Sequence, residues 1–120
     1  MGKKKILIID DDPVIVKYLK KLFNDNGYDT ILAFDGLEAD DIVKDIIPDL
    51  ITLDIEMPKE WGPRFYRKLT KNKTCKEIPV IVISGLGSTD HSIRKAVKYF
   101  SKPFDPDKLM KIIKNQLGEE

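Results

Sequence analysis

Five polar positions in this 120-residue sequence follow or close short apolar runs. Asp10-Asp11 follow Ile6-Leu7-Ile8-Ile9, and Asp54 follows Leu50-Ile51-Thr52-Leu53. Ser84 closes Val80-Ile81-Val82-Ile83, and Lys102 comes directly after Tyr99-Phe100-Ser101. Were these groups to meet, carboxylates about 4 Å apart would repel by roughly 4 kcal/mol per pair at an effective dielectric near 20, so one lysine could not neutralise three. Such a site takes up protons or a cation. An all-oxygen site with few protein ligands and room for water suits Mg²⁺ better than zinc or copper, with Mn²⁺ as a substitute. A carboxylate beside a divalent cation can also attack phosphorus and form an acyl phosphate. Lys102 and the metal would then offset the incoming charge, and the Ser84 hydroxyl could donate to a phosphoryl oxygen.

Whether they meet depends on the elements that carry them. Ile6-Leu7-Ile8-Ile9, Leu50-Ile51-Thr52-Leu53 and Val80-Ile81-Val82-Ile83, with a weaker run at Thr30-Ile31-Leu32-Ala33, are short and β-branched, which predicts strands covered on both faces, and Tyr99-Phe100-Ser101 is a candidate fifth strand. Between them the apolar period becomes helical. Asp12 caps and Pro13 opens a helix with Ile15, Leu19, Leu22 and Phe23 on one face, and Asn26-Gly27 stops it. Asp35-Gly36 opens the next, with Ala39, Ile42, Val43 and Ile46, ended by Pro48. Pro63 opens another with Phe65, Tyr66 and Leu69. The last is capped by Asp105, opened by Pro106, striped with Leu109, Ile112, Ile113 and Leu117, and closed by Gly118. Alternating strand and helix predicts right-handed βαβ units and one parallel sheet with helices on both faces. In such a sheet ligands bind outside the carboxyl ends of the strands, which is where the five polar positions fall.

Composition narrows the remaining possibilities. Lys plus Arg number 21 against 20 Asp plus Glu, a formal charge of +1 that calls for neither a polyanion nor a membrane surface. The single cysteine, Cys75, cannot form an internal disulfide, and the single histidine, His91, cannot build a zinc site. Both fit a cytoplasmic setting. The apolar run after Lys3-Lys4-Lys5 is too short for an export signal or a spanning helix, and the basic tract alone is a poor nucleic-acid signature. Cys75, among Lys71, Lys73 and Lys76, reads as a free surface thiol whose pKa those lysines could lower. Trp61 reads as packing over its loop and His91 as facing solvent.

Four segments in order carry a family resemblance: Ile8-Ile9-Asp10-Asp11-Asp12-Pro13, Pro48-Asp49-Leu50-Ile51-Thr52-Leu53-Asp54-Ile55-Glu56-Met57-Pro58, Ile78-Pro79-Val80-Ile81-Val82-Ile83-Ser84-Gly85, and Tyr99-Phe100-Ser101-Lys102-Pro103-Phe104. Together they resemble the response-regulator receiver domain of two-component signalling, over essentially the whole chain. The resemblance implies a flavodoxin-like (βα)5 three-layer sandwich with strand order 2-1-3-4-5, formed by one domain over residues 1–120. It implies that Asp54 accepts a phosphoryl group, that Asp11 binds Mg²⁺ directly and Asp10 through water, and that the backbone carbonyl of Glu56 is a further ligand. Ser84, with Gly85 after it, and Lys102 would contact the phosphoryl group, and Tyr99 would follow inward as a switch; an ordinary packed strand aromatic is the plain alternative for Tyr99. A cis Lys102-Pro103 peptide is implied as well. The expected partners are a histidine kinase or phosphotransfer protein and a downstream protein target, with no direct nucleic-acid contact and a monomer or weak dimer.

Between Ser84 and Lys102 the chain is several residues shorter than the family pattern, which predicts a fourth helix that is short, displaced or partly unwound. Glu56, two residues past the acceptor, adds negative charge and could reach Lys102 or hold a water. Two rival readings stay open. Asp10-x-Asp12-x-Val14 also resembles the nucleophile motif of haloacid-dehalogenase-type phosphatases, with Asp10 as acceptor. The chain could also be an unphosphorylated receiver-like docking module.

Overall fold

The computed structural model describes residues 3–54, 61–85 and 98–118. In chain order these form β1 (Lys5–Ile9), α1 (Pro13–Asp25), β2 (Asp29–Ala33), α2 (Gly36–Asp45), β3 (Leu50–Leu53), α3 (Trp61–Lys71), β4 (Val80–Ser84), β5 (Lys98–Ser101) and α4 (Pro106–Gln116). All strand pairs are parallel, in the order β2-β1-β3-β4-β5. The expected shortening of the helix between Ser84 and Lys98 falls outside the described residues, as do His91, Glu56 and the side-chain placement of Trp61.

Alternation along the strands builds the two interior layers, because successive side chains point to opposite faces. Leu7, Ile9, Ile51, Leu53, Val80 and Val82 pack under Ala39 and Val43 of α2 and Phe65 and Leu69 of α3. Ile6, Ile8, Leu50, Ile81 and Ile83 pack under Val16, Leu19 and Phe23 of α1 and Leu109, Met110 and Ile113 of α4. The result is the three-layer sandwich. A fully buried phenylalanine such as Phe23 contributes about 1.5–3 kcal/mol to it.

Helix ends follow local chemistry. Asp12 and Asp105 accept amide hydrogens of the first turns of α1 and α4, and a proline fills the first position of each, where no amide partner is needed. Gly27 at φ 90° turns the chain out of α1, so that the Tyr28 amide donates back to the Phe23 carbonyl at 3.0 Å.

Three expectations need correction. Helix α3 begins at Trp61 rather than Pro63, since proline is tolerated throughout a first turn whose amides lack helical partners. Ile46 is the extended C-cap of α2 and is exposed, because Ile47 precedes Pro48 and is pushed out of helical geometry. Finally, β2 is an edge strand with largely half-buried residues rather than one covered on both faces, unlike β3, which is buried throughout.

Candidate functional site

Asp10, Asp54 and Lys102 each stand just past the end of a strand and are pinned there by a backbone hydrogen bond to a neighbouring strand. The Asp10 amide donates to the Ala33 carbonyl of β2 at 3.1 Å, and the Asp54 amide donates to the Ile9 carbonyl of β1 at 2.9 Å. The Lys102 amide donates to the Ser84 carbonyl at 2.8 Å, tying the end of β5 to the end of β4. Residues distant in sequence therefore arrive at one sheet edge with their backbones fixed.

The acids converge. Carboxylate oxygens of Asp10, Asp11 and Asp54 all lie within 4.8 Å of one another. Asp10 and Asp54 are buried and Asp11 is exposed. The Lys102 ammonium donates to Asp10 Oδ2 at 2.8 Å and stands 3.6 Å from Asp54 Oδ2. Burial pulls the Lys102 pKa down, but the hydrogen bond and charge of Asp10, with the charges of Asp54 and Asp12, outweigh it and hold the pKa above its ordinary value. Lys102 thus stays protonated. Asp10 Oδ1 accepts the Asp12 amide at 2.9 Å, so both Asp10 oxygens already have partners. Asp12 is committed to capping, with Oδ1 accepting the Val14 amide at 2.9 Å.

Ser84 is buried at the end of β4, opposite Ser101 in the β4–β5 register, and the half-buried Gly85 follows it. Tyr99 lies opposite Val82 and packs, half-buried, against the core layer beneath α2 and α3. The Lys102-Pro103 peptide is cis. Glu56 lies outside the described residues.

The donor set suits a hard divalent cation. It offers only oxygen, from three separate carboxylates, and exposed Asp11 leaves one side to water, as Mg²⁺ requires. One ammonium against three carboxylates leaves negative charge for such an ion to balance.

Two features escaped the sequence reading. Asp40 is buried on α2 and bonded by Lys68 of α3 at 2.9 Å. Its spacing of four from Gly36 and three from Val43 puts it on the inward face, and that was the available signal. Cys75 is 1% exposed, not a surface thiol, and burial raises its pKa instead of the nearby lysines lowering it. The chain folds back around it: the Cys75 amide donates to Asn72 and the Ile78 amide to Cys75, both at 3.1 Å.

Comparison with known proteins agrees with this geometry. The family model described as response regulator receiver domain matches residues 6–114. The chain is 34% identical over 114 residues to protein Rrf1 of Nitratidesulfovibrio vulgaris, covering 95% of this chain and 83% of that protein. It is 31% identical over 120 residues to the polar-differentiation response regulator DivK of Brucella ovis, covering 97% and 98%. Among solved structures, the receiver domain of Francisella response regulator 1452 superposes with a TM-score of 0.82 at 32% identity, covering 96% and 98% of the two chains. A CheY-like receiver domain protein from Methanospirillum hungatei gives 0.87 at 27% identity, covering 98% and 95%.

Proposed function

Because the chain belongs to the response-regulator receiver family, we propose that it is a phosphoacceptor signalling domain, taking a phosphoryl group on Asp54 from the phosphohistidine of a kinase or phosphotransfer partner. The observation that carries this reading is the Asp54 carboxylate, 5% exposed, with the Asp10 and Asp11 oxygens within 4.8 Å and the Lys102 ammonium at 3.6 Å. Both Asp10 oxygens already accept hydrogen bonds, from the Asp12 amide and the Lys102 ammonium, which weighs against Asp10 as the nucleophile of a phosphatase.

In the transfer, an Asp54 carboxylate oxygen forms a bond to phosphorus. The donor's P–N bond breaks, its electron pair stays on the imidazole nitrogen, and that nitrogen takes up a proton. Lys102, held protonated, contributes positive charge beside the new acyl phosphate, and the Ser84 hydroxyl donates to one phosphoryl oxygen. Asp10, Asp11 and Asp54 would hold Mg²⁺ at this edge, with the Glu56 backbone carbonyl as the further ligand the family resemblance implies. When bound, the ion supplies charge neutralisation to the phosphoryl oxygens. Water later attacks phosphorus, the Asp54 O–P bond breaks, and inorganic phosphate leaves as Asp54 returns to its carboxylate. The domain, spanning residues 1–120, thereby acts as a regulatory acceptor in the cytoplasm and controls a protein partner.

The output is a population shift in which movement of Ser84 and inward repacking of Tyr99 favour one of two states. Moving that equilibrium from 1:99 to 99:1 takes about 5.5 kcal/mol of differential stabilisation, within reach of a few charge-assisted hydrogen bonds and one buried aromatic.

The test is incubation with acetyl phosphate and Mg²⁺, followed by mapping of hydroxylamine-labile phosphate. Label on Asp54, lost in Asp54→Asn and in EDTA, is the expected result. Label on Asp10 would instead make the protein a phosphatase of the haloacid-dehalogenase type. No label and no binding of beryllium fluoride would make it a docking module.

A further inference from the structure

The outer face made by α2 and α3 is divided by charge. Helix α2 carries Glu38, Asp40, Asp41 and Asp45 against Lys44 alone, whereas α3 carries Arg64, Arg67, Lys68 and Lys71 and no acid. The inward pair, Asp40 and Lys68, is satisfied within the chain. Asp41, Asp45, Arg67 and Lys71 are exposed and form no ion pair among the described residues. Apolar surface is concentrated beside the acidic helix. Of the six large hydrophobic residues exposed among the described residues, Phe34 and Leu37 sit at one end of α2, and Ile46 and Ile47 at the other. Apolar groups next to unpaired charge, on a face that no described element covers, are the composition of a contact surface.

We propose that this face docks on the same face of a second copy, with α2 of each lying along α3 of the other. Symmetry selects that pairing. Helices α2 and α3 both return over the same side of a parallel sheet, so they run in the same direction. A two-fold axis in the plane of the face and across the helices would set acidic α2 on acidic α2. An axis along the helices, midway between them, sets α2 on the partner's α3 twice over, in parallel. The spacing agrees: Asp41 to Asp45 and Arg67 to Lys71 are each one step of four residues, about 6 Å along a helix.

The size of the face sets the strength. Helices of 10 and 11 residues, about 15–16 Å long, lying side by side across about 20 Å, give a footprint of roughly 300 Å² per copy, well short of the ~800 Å² of a standard interface. The dimer is therefore weak, filled at high micromolar concentration, and salt-sensitive, since its charges lie at an exposed boundary.

Sedimentation equilibrium of the full chain tests this. Self-association is expected in about 20 mM salt and at least roughly tenfold weaker in about 500 mM. The double variants Asp41→Lys/Asp45→Lys and Arg67→Glu/Lys71→Glu should each be monomeric alone. Mixed in equal amounts they should associate again, because both contacts of the two-fold become complementary. Circular dichroism checks that each folds, and Asp41→Asn/Asp45→Asn, expected to weaken association without reversing charge, replaces a variant that does not. A wild-type chain that stays monomeric to about 1 mM in low salt, an association indifferent to salt, or reversed variants that do not recombine would each overturn the proposal.

Discussion

Replacing Asp54 by asparagine should make the metal-free protein more stable, although it removes the proposed acceptor. With oxygens no more than 4.8 Å apart, Asp10 and Asp54 repel by at least about 3.5 kcal/mol at an effective dielectric near 20, while Lys102 at 3.6 Å attracts Asp54 by about 4.6 kcal/mol. These nearly cancel. Against them stands the hydration surrendered by a carboxylate only 5% exposed, a cost of several kcal/mol per ion, together with a water-screened repulsion from Asp11. Asparagine keeps the shape and one acceptor oxygen but carries no charge to desolvate. Asp54→Asn should therefore raise the free energy of unfolding in EDTA by about 1–3 kcal/mol, seen as a higher urea midpoint at unchanged slope. Saturating Mg²⁺ should narrow the gap, since an ion at a hundred times its Kd stabilises the wild type by about 2.7 kcal/mol. A variant less stable than wild type in EDTA, or a difference that ignores Mg²⁺, would show that Lys102 already balances the cluster.

Other consequences can be checked separately. The Thr52 hydroxyl is buried in β3 with no hydrogen-bond partner among the described residues, so Thr52→Val should add about 1 kcal/mol and raise the melting temperature by about 4 °C; a lower melting temperature would reveal a hidden partner. Cys75, buried with a raised pKa, should react with a disulfide reagent at neutral pH at least about a hundredfold more slowly than in the urea-unfolded chain, and comparable rates would contradict its burial. Because folding raises the Lys102 pKa, its stabilisation is complete below the unfolded lysine value of about 10.4 and is lost as pH climbs through the folded value. Unfolding titrations should therefore be insensitive to this group up to about pH 10, and the alkaline loss should be smaller in Lys102→Met; equal losses would remove Lys102 as the cause.

What could be read from sequence was whatever short stretches determine by themselves. The Asp-Pro openings of α1 and α4 and the glycines beyond them combine a cap, a fixed φ and a left-handed exit within a few residues, and the structure has them. The five polar positions at the acidic edge were legible because a parallel sheet puts every strand end on one side, whatever lies between. Pro63 misled because a proline marks a first turn without marking which position in it. Cys75 misled because Lys73, Thr74 and Lys76 are polar neighbours in sequence only; the fold-back that buries the thiol depends on α3 and the sheet. Asp40 shows the same limit in reverse, since its partner Lys68 is on another helix.

Asp10 and Lys102 lie 92 positions apart, and among the described residues β5 joins the sheet through β4 alone. A chain emerging from the ribosome therefore acquires all its site acids long before the ammonium that steadies them can arrive. Docking of the last strand completes the electrostatics and the topology together. On the phosphoacceptor reading, an unfinished copy lacks the ammonium that would face the acyl phosphate.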